Sequence, residues 1–193
     1  RKLGRQMDLF SMHDETGPGL ILWHASLAFV RSQMENAWRE LHQKNGYEMV
    51  YTPHIARNDL WNISGHNEFY KENMFYMTVD EQDYVLKPMN CPFHVLIFKS
   101  TRHSYRELPI RMAELGTVYR YERSGVMHGL ARVRGFTQDD AHIFCTREQY
   151  VDEIKNVISL GSLIYKWFGL EYFVELSTKP KDAIGTDEIW EFA

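Results

Sequence analysis

The sequence predicts an α+β fold in which a largely antiparallel sheet is flanked by helices, and three observations carry that reading. Strand-like runs come in consecutive groups rather than alternating one by one with helices, which disfavours parallel βαβ units. Residues 26–43 and 147–168 repeat apolar side chains at spacings of three and four, the period of a helix with one buried stripe. The stretch "GFTQDDAHIFC", residues 135–145, alternates with the period of two that belongs to strands. That alternation places Phe136, Gln138, Asp140, His142 and Phe144 on one face, so an amide, a carboxylate and an imidazole stand in a row between two aromatic rings. A half-buried strand ordinarily turns its apolar side inward, so three polar groups on one face can converge on a ligand.

Taken in order, the first 24 residues are mixed, with a tight turn at "TGPG". The helix over 26–43 has Leu27, Val30, Met34, Trp38 and Leu41 as its apolar stripe and stops at Asn45–Gly46. A strand over 47–52 follows and ends at Pro53. Strands over 74–79 and 84–87, joined by "DEQD", form a hairpin. "PMNCPFHVLIFKS" is a short helix with Pro92 in its first turn. Two strands over 111–115 and 117–122 lead into a Gly- and Arg-rich loop and then into the 135–145 strand. The helix over 147–168 opens on a capping-box pattern, Thr146 with Gln149, and has Val151, Ile154, Ile158 and Ile164 as its stripe. A strand over 172–176 and a final helix at "DEIWEFA" close the chain.

The bulk properties narrow the class. The chain has 193 residues, 44% of them hydrophobic and 25% charged, enough for one domain with a sizeable core. A formal net charge of −4 argues against coating nucleic acid by bulk charge, while a local basic pocket for phosphate is still open. Two cysteines are too few for a disulfide scaffold, no apolar run is long enough to span a membrane, and the first residues lack the apolar core of a secretory signal. The expected setting is a reducing, cytoplasmic one without a membrane partner.

Two constellations carry chemistry. In "TVYRYERSGVMHGLARVRGF", an extended 117–122 would put Val118, Arg120 and Glu122 on one face, and the loop after it adds Arg123, His128, Arg132 and Arg134. A lone Arg–x–Glu is an ordinary ion pair, but several guanidinium groups in one loop suit phosphates and carboxylates. Composition alone leaves phosphate binding and a solvated basic loop evenly balanced. The second pairs Cys91 with His142, far apart in sequence and matching no compact metal spacing. Read alone, that pair is a small buried thiol and a structural histidine, and His94, His103 and His128 have no evident partner. No GxxxxGK[ST] loop is present, so nucleotide binding cannot come from a P-loop.

"YRYE" with its Arg-bearing loop resembles motif 2 of the class II aminoacyl-tRNA synthetases, and "GYEMVYTP" resembles motif 1. "KPMNCP" and "RGFTQDDAHIF" resemble, more specifically, the catalytic domain of the threonyl-tRNA synthetases, and the similarity covers the whole chain. The resemblance implies an ATP-dependent ligase that activates L-threonine and transfers it to tRNA(Thr), with Mg2+ accompanying ATP and Zn2+ recognising the threonine amine and hydroxyl. It implies a single catalytic domain over 1–193, incomplete because motif 3 is absent, and a homodimer formed through Tyr47 to Pro53. By the same resemblance Arg120 holds the α-phosphate and the substrate carboxylate, Glu122 reads the adenine amino group, and Arg132 lies near the γ-phosphate. Cys91 and His142 are two of three zinc ligands, Asp140 accepts a hydrogen bond from the threonine hydroxyl, and Gln138 and Met89 line the amino-acid pocket. His66, in "SGHNEFY", matches a histidine linked to transfer onto the tRNA ribose.

Two departures qualify the resemblance. By the resemblance the third zinc ligand and motif 3 lie beyond the last residue, so the chain by itself is expected to bind zinc weakly or not at all and not to activate threonine. Phe93 stands in "KPMNCPFH" where a glycine is expected. A non-catalytic paralogue used for dimerisation or regulation is one competing reading, and the intact Arg120, Glu122, Cys91, Asp140 and His142 weigh against it; a sister class II enzyme for serine, proline or glycine is another, against which the Cys91 and His142 pair favours threonine.

Overall fold

A computed structural model describes residues 2–180, 183 and 185–192, which form two compact units, 1–147 and 148–193. The first opens with α1 (Lys2–Gln6), β1 (Phe10–Ser11) and β2 (Leu22–Trp23), the two strands pairing antiparallel, followed by α2 (Ala25–Lys44) and β3 (Tyr47–Met49). Next come β4 (Ile55–Arg57), α3 (Asn58–Ile63), α4 (His66–Phe69), β5 (Phe75–Val79) and β6 (Gln82–Leu86). The unit closes with α5 (Cys91–Lys99), β7 (Ile110–Tyr119) and β8 (Gly135–Phe144). The second unit holds α6 (Tyr150–Trp167) and α7 (Asp187–Phe192).

Two three-stranded sheets organise the first unit, in the orders β3-β7-β8 and β4-β6-β5. Every pairing is antiparallel except β3 with β7, which is parallel. The expected α+β, largely antiparallel architecture is therefore the observed one. β5 and β6 form the expected hairpin, but with a two-residue turn at Asp80 and Glu81, whose φ values of 50° and 60° give the twist that tight hairpins favour. Behind it Trp61, Met74, Val85 and Phe93 make a buried cluster, with the Trp61 and Phe93 rings edge to face at 5.9 Å. Phe93, unexpected by resemblance, fills this core.

Several expectations are corrected. The strands over 111–115 and 117–122 are one strand, β7, because Gly116 does not interrupt it; a Cβ there would run into the Asn90 side chain. β7 ends at Tyr119, and the Glu122 amide donates to the Arg120 carbonyl, a three-residue turn that takes Arg120 and Glu122 off a common strand face. β3 is shorter than 47–52, because the Thr52 amide donates to the Glu114 carboxylate instead of extending the ladder. On α2 the packed positions are Trp38 and His42, with Arg31 and Glu35 half-buried, while Val30 and Met34 of the expected stripe stay exposed. The reason is the polar surface that the helix meets: Arg31 donates to Thr137, which bonds Thr117 across the sheet. α6 starts at Tyr150 with Gln149 at the N-cap position, so Thr146 lies three residues too early. Residues 170–180 have no regular structure and the 172–176 strand does not form, since among the described residues of that unit there is no other strand for it to pair with.

Candidate functional site

The face predicted from alternation on β8 is real, and α5 lies over it. Asn90, at the N-cap of α5, donates through Nδ2 to Asp140 Oδ2 at 3.0 Å. One turn on, His94 Nδ1 meets His142 Nδ1 at 2.9 Å, and one turn further Phe98 stacks on Phe144 with centroids 4.1 Å apart. Four helical residues advance about 6 Å and two strand residues about 6.7 Å, so positions i, i+4 and i+8 of one element meet i, i+2 and i+4 of the other. At the head of this row the Arg120 guanidinium covers the Phe136 ring at 5.2 Å.

The segment before α5 anchors the remaining candidates. Arg120 Nε donates to the Pro88 carbonyl at 3.2 Å. Met89 Sδ lies 3.2 Å from His66 Nε2, whose Nδ1 meets Ser64 Oγ at 2.9 Å. Burial holds the His66 pKa below its ordinary value, against the opposing hydrogen bond at Ser64. Burial and the nearby Asp140 charge push the Cys91 thiol up, with Arg120 pulling the other way, so Cys91 lies within the fields of both groups. Pro88 to His94 thus touches Arg120, His66, Asp140 and His142, and contributes Met89 and Cys91 as its own members, so six of the residues singled out in sequence meet at this segment. Gln138 is half-buried on the same strand face, opposite Gly116.

Beneath the row lies a charged cluster that sequence reasoning missed. Glu114, 4% exposed, accepts from the Thr52 amide at 2.8 Å, from Thr52 Oγ1 and from His94 Nε2 at 3.1 Å. Lys87 Nζ, fully enclosed, is 3.6 Å from Glu114 and donates to Thr52 Oγ1 at 2.7 Å. Burial alone would raise the Glu114 pKa, but the hydrogen bonds from His94 and Thr52, with the Lys87 charge, hold it below the carboxylate range. Burial lowers Lys87 despite Glu114. His142 is likewise lowered by burial, with the Asp140 charge opposing. One signal could have exposed part of this: Cys91 and His94 are three apart on a helix and so share a face.

The motif 2-like loop is built differently. Arg132 reaches Glu122 Oε2 with both Nε and a terminal nitrogen at 3.0 Å, the Arg132 side chain being 55% exposed. Arg134 Nε donates to the Glu122 carbonyl and its guanidinium covers Tyr121 at 5.2 Å. Arg123 makes an exposed pair with Glu72 at 3.6 Å, and His128 pairs backbone to backbone with Arg132. Glu122 and Arg132 are therefore each other's partner here.

The groups here that could ligate a metal are a thiol and an imidazole. His142 Nδ1 is engaged by His94, which leaves Nε2, and Cys91 supplies sulfur; the types suit zinc. Among the described residues no three His, Cys, Asp or Glu side chains are grouped to hold a metal ion, so a full set needs a donor from elsewhere. Among the described residues, too, no helix is long and apolar enough to cross a membrane.

Residues 74–190 match the tRNA synthetase class II core domain (G, H, P, S and T). Over its whole length the chain is 54% identical to threonine–tRNA ligase, chloroplastic/mitochondrial 2, of Arabidopsis thaliana, and 58% identical to threonine–tRNA ligase of Synechococcus sp. (strain CC9311), and it spans 30% and 32% of those proteins. Among solved structures, the RNA binding domain of threonyl-tRNA synthetase from Cryptosporidium parvum Iowa II superposes on the entire chain with a TM-score of 0.93 at 42% identity, 48% of that chain being covered. Prolyl-tRNA synthetase of Giardia lamblia, in complex with prolyl-adenylate, shares the fold over 85% of the chain at 18% identity, with a TM-score of 0.77 and 34% of that chain covered. With the matched core filling more than half of its residues, and synthetases on every side of it, the chain belongs to the class II aminoacyl-tRNA synthetase core-domain family.

Proposed function

We propose that the chain supplies most of the amino-acid and ATP site of a threonine–tRNA ligase, residues 1–193 serving as an incomplete catalytic domain. One observation carries this reading: the segment Pro88–Cys91 holds Arg120 by a carbonyl and Asp140 by the Asn90 amide, so a phosphate-binding cation and a hydroxyl-binding carboxylate are fixed against the same four residues. Arg120, with its Nε tied to Pro88, offers its terminal nitrogens to the α-phosphate and substrate carboxylate. The carboxylate attacks the α-phosphorus and pyrophosphate leaves, so positioning and charge neutralisation by arginines, with Mg2+ on ATP, do most of the catalytic work. Glu122, 20% exposed, and Arg132, 55% exposed, exchange their mutual pair for the adenine amino group and the γ-phosphate.

On the amino-acid side, Asn90 occupies Asp140 Oδ2 and leaves Oδ1 to accept from the threonine hydroxyl. Gln138 and Met89 bound the pocket, and His66 stands against Met89 for the transfer to the ribose of tRNA(Thr). Cys91 and His142 would hold zinc with a third ligand from outside the described residues, and bound zinc would supply a Lewis acid with positions open to an α-amine and a β-hydroxyl. A site that must bond a hydroxyl rejects an analogue lacking it by about 10⁴–10⁵, so valine is excluded far better than serine. The homodimer reading through Tyr47 to Pro53 is supported by Tyr51, 79% exposed, and by the uncovered α2 residues Phe29, Val30 and Met34. The two cysteines keep the cytoplasm as the proposed compartment.

Amino-acid-dependent pyrophosphate exchange in the full-length protein tests the reading. Threonine is expected to support exchange, serine weakly and valine not at all, and Arg120→Ala is expected to lower the rate by about 10²–10³. Absence of exchange with threonine would favour the non-catalytic paralogue instead.

A further inference from the structure

We propose that His94 is a positioning residue for His142: the chain Glu114–His94–His142 dictates which ring nitrogen of His142 carries its proton and leaves Nε2 as the lone pair available to a metal. The zinc half of this inference rests on the function proposed above; the tautomer half does not.

The protons follow from the buried end outward. An ionised carboxylate only accepts hydrogen bonds, so the 3.1 Å contact between Glu114 Oε2 and His94 Nε2 puts a proton on that nitrogen. Glu114 is kept ionised by its bonds from Thr52 and by Lys87, 3.6 Å away. A neutral imidazole has one N–H, so His94 Nδ1 is then an acceptor. The group facing it at 2.9 Å is His142 Nδ1, which must therefore be the donor. His142 is left with its proton on Nδ1 and a bare Nε2. The competing arrangement, a doubly protonated His94, would set a second cation beside Lys87 against one carboxylate, in a place where both side chains are fully enclosed. A buried charge without a partner is strongly disfavoured.

Enclosure also makes the relay rigid. His94 shows no exposed surface, so solvent cannot offer either nitrogen an alternative partner, and its ring stands at 80° to that of His142 with centroids 4.7 Å apart. Metal-bound histidines generally have their second nitrogen fixed by a carboxylate or carbonyl; here a second histidine is interposed, which carries the instruction from a carboxylate too deep to reach His142 itself. Asp140 does not do the job, since its Oδ1 is 3.9 Å from His142 Nδ1 and its Oδ2 is taken by Asn90. The same turn of α5 that presents Cys91 thus also sets His142.

The test uses the full-length protein with ¹⁵N-labelled histidine, metal-free, reading each ring's tautomer by long-range ¹H–¹⁵N correlation. Zinc affinity is measured separately by competition with a chromophoric chelator. The wild type is expected to show Nε2–H on His94 and Nδ1–H on His142. His94→Leu should leave His142 in mixed tautomers and weaken zinc by about 10–100-fold. His94→Gln, whose amide can accept from His142 and donate to Glu114, should restore both. Glu114→Gln keeps the shape, removes the acceptor-only end and should also mix the tautomers, which guards against a His94→Leu protein that fails to fold. A wild-type His142 protonated on Nε2, or an unmixed tautomer in both Glu114→Gln and His94→Leu, overturns the relay. Wild-type tautomers as expected with no zinc binding would support the relay and sink the zinc reading of the site instead.

Discussion

The two regions proposed to meet one substrate are built on opposite principles. Around Glu114 the charged groups are enclosed and partnered: Thr52, Lys87 and His94 converge on one carboxylate, and α5 is clamped to β8 at three successive turns. Along the loop after β7, Arg132 and Glu122 satisfy each other at the surface, and Arg123 pairs with Glu72 in solvent. Buried charges cost several kcal/mol each to desolvate and so persist only when fully partnered; exposed ones cost little and can trade partners. The difference suits the tasks proposed for them. A pocket that must tell a hydroxyl from a methyl needs fixed groups, whereas a phosphate clamp has to open, take ATP and let pyrophosphate go.

The contrast can be broken first at Glu114. Glu114→Ala leaves Lys87 and His94 enclosed without their shared carboxylate, and a loss of about 3–5 kcal/mol is expected in urea unfolding; a change comparable to a surface mutation would show that the cluster is not the enclosed unit described. Next comes Gly116→Ala, which drives a methyl into Asn90 and should cost about 1–3 kcal/mol, with the Asn90–Asp140 bond lost in a structure of the variant. If the protein absorbs that methyl with unchanged stability and an intact bond, the row is looser than the packing implies.

Acid sharpens the comparison further. His42, enclosed between Trp38 and Tyr47 and bonded to the Trp38 carbonyl, has its pKa lowered by burial, so the unfolded chain takes that proton first and stability should fall below about pH 6.5. Glu114, depressed in the fold, contributes stability that is present above about pH 4.3 and is lost as pH falls through its lower folded value. Urea midpoints against pH should therefore decline in two stages, and Glu114→Gln should flatten the more acidic one. The smallest effect belongs to the loop: Arg132→Ala should change stability by no more than about 1 kcal/mol while raising the KM for ATP, and a larger loss in unfolding would mean that the loop is held as firmly as the buried cluster.

The sequence places the β8 row correctly because a period of two needs no tertiary information: Gln138, Asp140 and His142 share a face in any extended chain. It places the hairpin, α5 and Pro92 for the same local reason. It fails where a neighbour decides. His94 offers no sign of a partner, since its bonds reach Glu114 and His142, 20 and 48 residues away. Alternation puts Arg120 and Glu122 on one strand face, but the chain turns after Tyr119 and separates them. The stripe on α2 reads as buried because apolar spacing says which residues could face inward, not which surface awaits them; here Thr137 draws in Arg31, and Val30 and Met34 stay out.

Periodicity, turn chemistry and motif order by themselves settled the α+β class, the two long helices, the hairpin and the identity of the polar residues on one strand, because those follow from local backbone geometry. Which carboxylate governs which histidine, which glycine makes room for Asn90 and which face of α2 is covered were decided only when β7, β8 and α5 came together. Burial turns a polar side chain from a solvated group into one that must find a specific partner, and that partner is chosen across the fold rather than along the chain.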